Sequence, residues 1–216
     1  RHDKLNRYVL FADVAGDRSQ SGDYHAAIML DRIERKPVAV LHMRGPRKHY
    51  ITELLRLAKS YVIRYGKTGR EVETSDGERR PEKRKQYPLF AYERNNVGGL
   101  HLDDRIMQYP RLYKKRSMDS TEENVRASVG WHTNSKTRPD MMDALEDWAL
   151  ELRDNPDRFY DAALHEECKT FSWNASREKW EAEQGTHDDL VMALAGALIV
   201  DQLVNDHTIS TEKFTP

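Results

Sequence analysis

Three apolar runs rich in β-branched and aromatic residues follow one another at the start of the chain: RYVLFADVAG (7–16), YHAAIMLDR (24–32) and PVAVLHMRG (37–45). Each reads as a strand closed by turn chemistry, and their close succession argues for an antiparallel meander. ITELLRLAKSYVIRYG (51–66) then carries apolar residues at helical spacing and stops on Gly66. The charged stretch 67–86 has almost nothing to bury and is expected to be an exposed or mobile loop.

Strand character returns in YPLFAYE (87–93), and 95–108 reads as a short helix after a glycine-rich entry. RLYKKRS and ASVGWHTNS (127–135) suggest a hairpin, PDMMDALEDWALELRD (139–154) an amphipathic helix, and FYDAALHEEC a further helix before a last one starting near His187. No internal repeat is visible. The order implies an α/β fold with a central mixed sheet, its first three strands antiparallel, flanked by helices.

With 216 residues the expectation is one domain. Charged residues make up 33% and hydrophobic ones 38%, which suits a soluble chain with a dense ionic surface. The longest apolar run, LVMALAGALIV (190–200), falls short of the roughly 20 residues of a membrane helix, and no signal peptide is seen. Opening on Arg1 suggests a domain cut from a longer protein or a processed start. Cys168 is the only cysteine, so an intrachain disulfide and a cysteine zinc cluster are excluded, and a reducing compartment fits. A net charge of −1 gives no argument for nucleic acid.

Chemistry enters through acids. By strand alternation Val9, Phe11 and Asp13 share one face, and so do Leu89, Ala91 and Glu93, so two apolar rows each end in a carboxylate. A buried carboxylate without a positive partner costs several kcal/mol or takes up a proton. A solvated strand end, or pairing with an arginine such as Arg94, would explain either acid alone. A third acid stands in THDDLVMALA (186–195): Asp189, Ala193 and Gly196 share a helix face, and the two small residues allow a close approach to a sheet. Thr186 with Asp189 also matches a capping box, so Asp188 and Asp189 are open to a capping or a metal role. Acids from three separated segments suit two Mg²⁺ or Mn²⁺ ions of the kind that cleave phosphodiesters.

FADVAGDRSQSGDYHAAIML, FAYERNNVGG and GTHDDLVMALAGAL resemble, in order, the three motifs of the nuclease domain of bacteriophage large terminase subunits, and GWHTNSKTRPDMMDAL resembles the stretch between the second and third. The likeness runs from about Tyr8 to Val200. It implies an RNase H-like fold and an endonuclease that cuts double-stranded phage DNA during genome packaging in the host cytoplasm. Asp13 then corresponds to the first metal-binding aspartate, Glu93 to the strand acid, and Asp188 and Asp189 to the third motif, with Mg²⁺ or Mn²⁺ as cofactor. Implied partners are double-stranded DNA, the portal, the small terminase subunit and an ATPase domain of the same protein, with no membrane role.

That packaging ATPase is expected to lie outside this chain, which would be the C-terminal nuclease domain, since no P-loop is found. YGKT (65–68) imitates the end of one, but Tyr61 stands where its first glycine belongs and the stretch ends a helix. The segment 67–86 has no match in the family's pattern.

Several residues carry competing readings. His187 could contact the scissile phosphate or only help start the helix, and the plainer role is favoured. Lys136 and Arg138 suit a DNA backbone, with helix capping by Ser135 or Thr137 as the alternative. RRPEKRKQ (79–86) could track phosphates or be solvated. HEEC (165–168) lacks the second histidine of a zinc-protease helix. Trp131, Trp148 and Trp173 read as packing residues, Asp103 and Asp104 as solvent-facing, and Asp17 or Asp23 as an outer-shell candidate. Rival functions are a Holliday-junction resolvase or transposase-like recombinase on the same fold, or a non-catalytic DNA- or portal-docking module.

Overall fold

The computed structural model describes residues 6–15, 24–67, 70–73, 78–95, 103–114, 129–156 and 161–211. Asp17, Asp23 and the glycine-rich stretch 96–100 lie outside these.

The expected meander is present as β1 (Tyr8–Asp13), β2 (His25–Asp31) and β3 (Lys36–Met43). These run antiparallel, and β8 (Leu89–Tyr92) joins β1 in parallel, giving the sheet order β3-β2-β1-β8. Isolated parallel bridges Phe90 to Leu112 and Glu93 to Trp131 continue the sheet beyond β8. Gly130 lies at φ +85°, and a Cβ there would come within 2.9 Å of the Tyr92 carbonyl oxygen, so only glycine fits this close pairing. The pairing expected between the RLYKKRS and ASVGWHTNS segments is seen at Lys114 and Val129, which bridge antiparallel.

Alternation divides β1 as the sequence implies. Val9 and Phe11 join one apolar cluster with Leu89 and Ala91, while Leu10 and Ala12 join the other with Phe90 and Tyr92. The second cluster is closed by α1 (Arg47–Ser60) through Tyr50, Ile51, Leu54 and Ala58, and by Ile106 of the short helix α2 (Asp104–Met107). The first is closed by α3 (Thr137–Asp154) and by α5 (Asp189–Thr211), which packs across β1 and β2. The result is a three-layer α/β sandwich of helices, mixed sheet and helices. Residues 190–200 of α5 are buried on every side, as suits a helix held between a sheet and another helix. Among the described residues no helix is long and apolar enough to cross a membrane.

Four expectations need correction. The helix expected over 51–66 instead occupies Arg47–Ser60, and Ile63–Tyr65 leaves it as a strand, β4. Within the charged segment the described residues are largely exposed, as expected, but form strands: β4 pairs with β7 (Arg84–Gln86), and β5 (Glu71–Glu73) pairs with β6 (Arg79–Pro81). Backbone pairing needs no buried side chains, so apolar periodicity is a poor guide there. A hairpin that apolar spacing did not suggest, β9 (Phe171–Asn174) with β10 (Lys179–Ala182), follows α4 (Ala162–Thr170). Trp148 and Trp131 are buried, but Trp173 is 51% exposed at the edge of that hairpin, meeting Trp180 edge-on.

Candidate active site

Asp13 ends β1, and Glu93 follows β8 directly, its N–H donating to the Ala12 carbonyl at 2.9 Å. Parallel pairing of β1 with β8 therefore brings the two strand-end acids side by side. Beneath them Tyr50 donates its hydroxyl hydrogen to the Ala26 carbonyl at 2.6 Å and lies 3.5 Å from the carbonyl oxygen of Asp13. Asn95 donates to a Glu93 carboxylate oxygen at 3.2 Å and also to the Thr133 carbonyl, which fixes the orientation of Glu93.

Glu93, Asp189 and Asp188 all lie close enough to Asp13 for their charges to act on its carboxyl. Burial, first, and then the negative charge of Glu93 hold the Asp13 pKa well above the usual carboxylate range. Burial raises the Tyr50 hydroxyl as well, with Asp13 adding to the effect. The four acids drawn from three separated segments thus meet at one end of the sheet.

The start of α5 answers differently from the capping box. Thr186 donates its hydroxyl to the Glu183 carbonyl at 2.8 Å, and the first intrahelical bond runs from Met192 N–H to the Asp188 carbonyl. Asp188, not Thr186, is therefore the N-cap residue. The free N–H groups of Leu190 and Val191 donate instead to Glu167 Oε2 of α4, at 2.7 and 3.2 Å. Glu167 is buried, and burial pushes its pKa up to about 7 against the lowering effect of those two bonds.

The other oxygen of Glu167 points toward β3. His42 Nε2 lies 3.6 Å from Glu167 Oε1, and His42, Glu167 and Asp189 each offer a donor atom within 4.8 Å of the others. Sequence reasoning passes over His42 and sets HEEC, which contains Glu167, aside for want of a second histidine. Two signals were present: Glu167 follows Leu164 by three positions on the buried face of its helix, and His42 follows Val40 on the strand face that packs toward α5.

The remaining candidates occupy varied settings. His187 Nδ1 is 3.7 Å from Asp189 Oδ2, and its ring meets Tyr24 edge-on. Lys136 is exposed, whereas Arg138 donates to the Trp180 carbonyl at 2.8 Å and ties α3 to β10. The turn before α3 is closed by Asn134, whose Oδ1 accepts from the N–H groups of Lys136 and Thr137, so neither Ser135 nor Thr137 is needed as the cap. Asp104 is exposed as expected, but Asp103 caps α2 by accepting from the Arg105 N–H at 2.9 Å.

An apolar cavity of about 850 Å³ between α3, α4 and β10 is lined by residues including Met142, Leu145, Trp148 and Phe171, and by none of the four clustered acids. It also contains Cys168, whose thiol burial pushes up to about 11, so the thiolate is scarce at neutral pH.

The donor set suits hard divalent cations: carboxylates from three segments converge, and burial together with their mutual repulsion raises the Asp13 pKa. No family model matches the chain, and no curated protein matches it. Among solved structures the chain is similar to the large terminase nuclease from thermophilic phage G20c, at 18% identity and a TM-score of 0.48 over 88% of this chain and 80% of that one. An overlap of that size leaves the functional reading to the geometry of the site itself.

Proposed function

We propose that this chain is a metal-dependent endonuclease that hydrolyses phosphodiesters of double-stranded DNA, working in phage genome packaging as its three motifs imply. The observation that carries the reading is the placement of Asp13 beside Glu93 at the ends of the paired strands β1 and β8, with Asp189 and Asp188 close enough for their charges to act on the Asp13 carboxyl. A fold gains no stability from packing like charges in this way, and perturbed acids of this kind concentrate at functional sites.

In this reading Asp13 and Glu93 hold the cations together with Asp189, while Asp188 begins α5 and adds negative charge. Two divalent ions, when bound, would supply an activated water and neutralise charge on the leaving oxygen. Glu93 is kept in place by Asn95, and a bound cation would offset the burial and neighbouring negative charge that raise the Asp13 pKa. His187, whose Nδ1 lies 3.7 Å from Asp189 Oδ2, would be the contact to the scissile phosphate if it does more than help start α5. Lys136 offers a positive charge to the DNA backbone, and Arg138 does so only with the donors not directed at Trp180. Contacts of this type position a duplex without reading its bases, so sequence selectivity is low.

The test is nicking of supercoiled plasmid with Mg²⁺, Mn²⁺ or EDTA. Cutting should require metal and disappear in Asp13→Asn and Glu93→Gln. Persistent cutting by Asp13→Asn, or no cutting with any metal, would overturn the proposal. A strong preference for four-way junctions over linear duplex would move the chain to the resolvases.

A further inference from the structure

We propose a second cation site, formed by His42 of β3, Glu167 of α4 and Asp189 of α5, that takes a divalent transition ion such as Zn²⁺ or Mn²⁺. It shares Asp189 with the acid cluster, but it stands on its own geometry and does not require the nuclease reading.

Three observations carry it. First, the donor atoms of the three residues lie within 4.8 Å of one another. Three donors on one ion, each about 2.1 Å from it, lie about 3.4–3.6 Å apart, so side-chain rotations that draw the widest pair together by up to about 1.4 Å would complete the site. Second, Glu167 is 7% exposed and splits its two oxygens between two directions. Oε2 accepts from the N–H groups of Leu190 and Val191, which anchors the carboxylate, while Oε1 is buried with no hydrogen-bond partner among the described residues. Third, His42 Nε2 is buried and likewise lacks a hydrogen-bond partner, and it faces that oxygen from 3.6 Å, beyond hydrogen-bonding distance. Buried polar atoms are almost always paired. Two unpaired atoms facing one another beside a third donor form a gap that an ion would satisfy.

The choice of ion follows from the donors. One imidazole and two carboxylates suit borderline metals, whereas Mg²⁺ prefers oxygen alone and retains its waters. Burial, first, and then His187 lower the pKa of His42, which favours the neutral form that ligates. Its ring is fixed by Tyr24, which lies against it at 4.0 Å between ring centres and carries the Arg44 guanidinium on its ring at 4.2 Å. Capping alone accounts for Oε2 of Glu167 but for neither Oε1 nor His42.

Calorimetric titration with Zn²⁺, Mn²⁺ and Mg²⁺, alongside the histidine NMR resonances, tests the site. Glu167→Gln keeps an oxygen for the cap but removes the anionic ligand, and His42→Phe keeps the ring packing but removes the nitrogen. Each should weaken Zn²⁺ binding about tenfold or more, and the His42 resonance of the wild-type chain should shift on adding Zn²⁺. Asp13→Asn should retain this Zn²⁺ binding even though it removes the acid of the proposed nuclease centre. If both substituted chains bind Zn²⁺ and Mn²⁺ as the wild type does, or the His42 resonance stays unchanged at saturation, the site does not exist. Loss of cleavage plays no part in that judgement, so failure of the nuclease reading and failure of this site are told apart.

Discussion

Gly196 of α5 lies so close against the ring of Phe11 in β1 that a Cβ at position 196 would come within 2.3 Å of the phenyl Cζ. This contact sets how deeply α5 sinks onto the sheet. Asp189 lies two turns earlier on the same helix face, and Phe11 lies two residues before Asp13, so one close approach brings both acids to the same place.

Gly196→Ala is therefore expected to destabilise the chain although alanine favours helices. Overpacking a dense core costs about 1–3 kcal/mol, which exceeds the gain of up to about 1 kcal/mol in helix propensity. Urea denaturation should show a lower midpoint, and an unchanged midpoint would mean that the sheet and helix yield without strain.

Glu167 makes stability depend on pH in a definite direction. Its pKa is raised from 4.5 to about 7 on folding, so the folded state holds the extra proton between those values. The associated stability is fully present below about 4.5 and is lost as pH rises through about 7, amounting to roughly 1–3 kcal/mol. Melting curves in EDTA across this range should fall less steeply for Glu167→Gln than for the wild type. Parallel curves would show that other groups carry the dependence.

Asp13→Asn should raise the melting temperature in EDTA, because it removes a carboxyl whose ionised form is opposed by burial and by three neighbouring acids. A gain on the order of 1 kcal/mol is expected, as is usual when a functional site gives up its charge. Mg²⁺ should then stabilise the wild type and leave this variant unmoved, since binding to the folded state alone produces such a shift. Equal Mg²⁺ responses would remove Asp13 from the ion's surroundings.

Asp201 is 1% exposed and pairs with Arg32 at 2.5 Å, with Arg35 at 3.6 Å, joining α5 to the turn between β2 and β3. Asp201→Ala would remove the buried carboxylate that faces Arg32, at a cost of about 3–5 kcal/mol. Chemical denaturation of the variant measures this directly, and a loss below about 1 kcal/mol would mean that water reaches the arginines.

Much of this arrangement is legible in the sequence. Alternation puts Val9, Phe11 and Asp13 on one face of β1 and Leu89, Ala91 and Glu93 on one face of β8, and the apolar members of both rows meet on the same side of the sheet. Asp189, Ala193 and Gly196 were correctly read as a small-residue face suited to close packing. These features are visible because strand and helix periods are local: they decide which way a side chain points from its immediate neighbours. The ribbon at 63–86 was not visible, because its strands are joined by backbone pairs while its charged side chains remain outside.

What the sequence by itself determined is the strands of the central sheet and the helices that flank it, the mixed α/β class and the acids standing at the ends of β1, β8 and the entry to α5. Tertiary structure alone decided who accompanies them. The N–H groups of Leu190 and Val191 are met by Glu167, more than twenty positions earlier in the chain, and not by the neighbouring Thr186. That choice places Glu167 and His42 beside Asp189. The physical reason is that hydrogen-bond and ligand partners are selected by distance in space, which depends on how far α5 descends onto the sheet, and no local period encodes that depth.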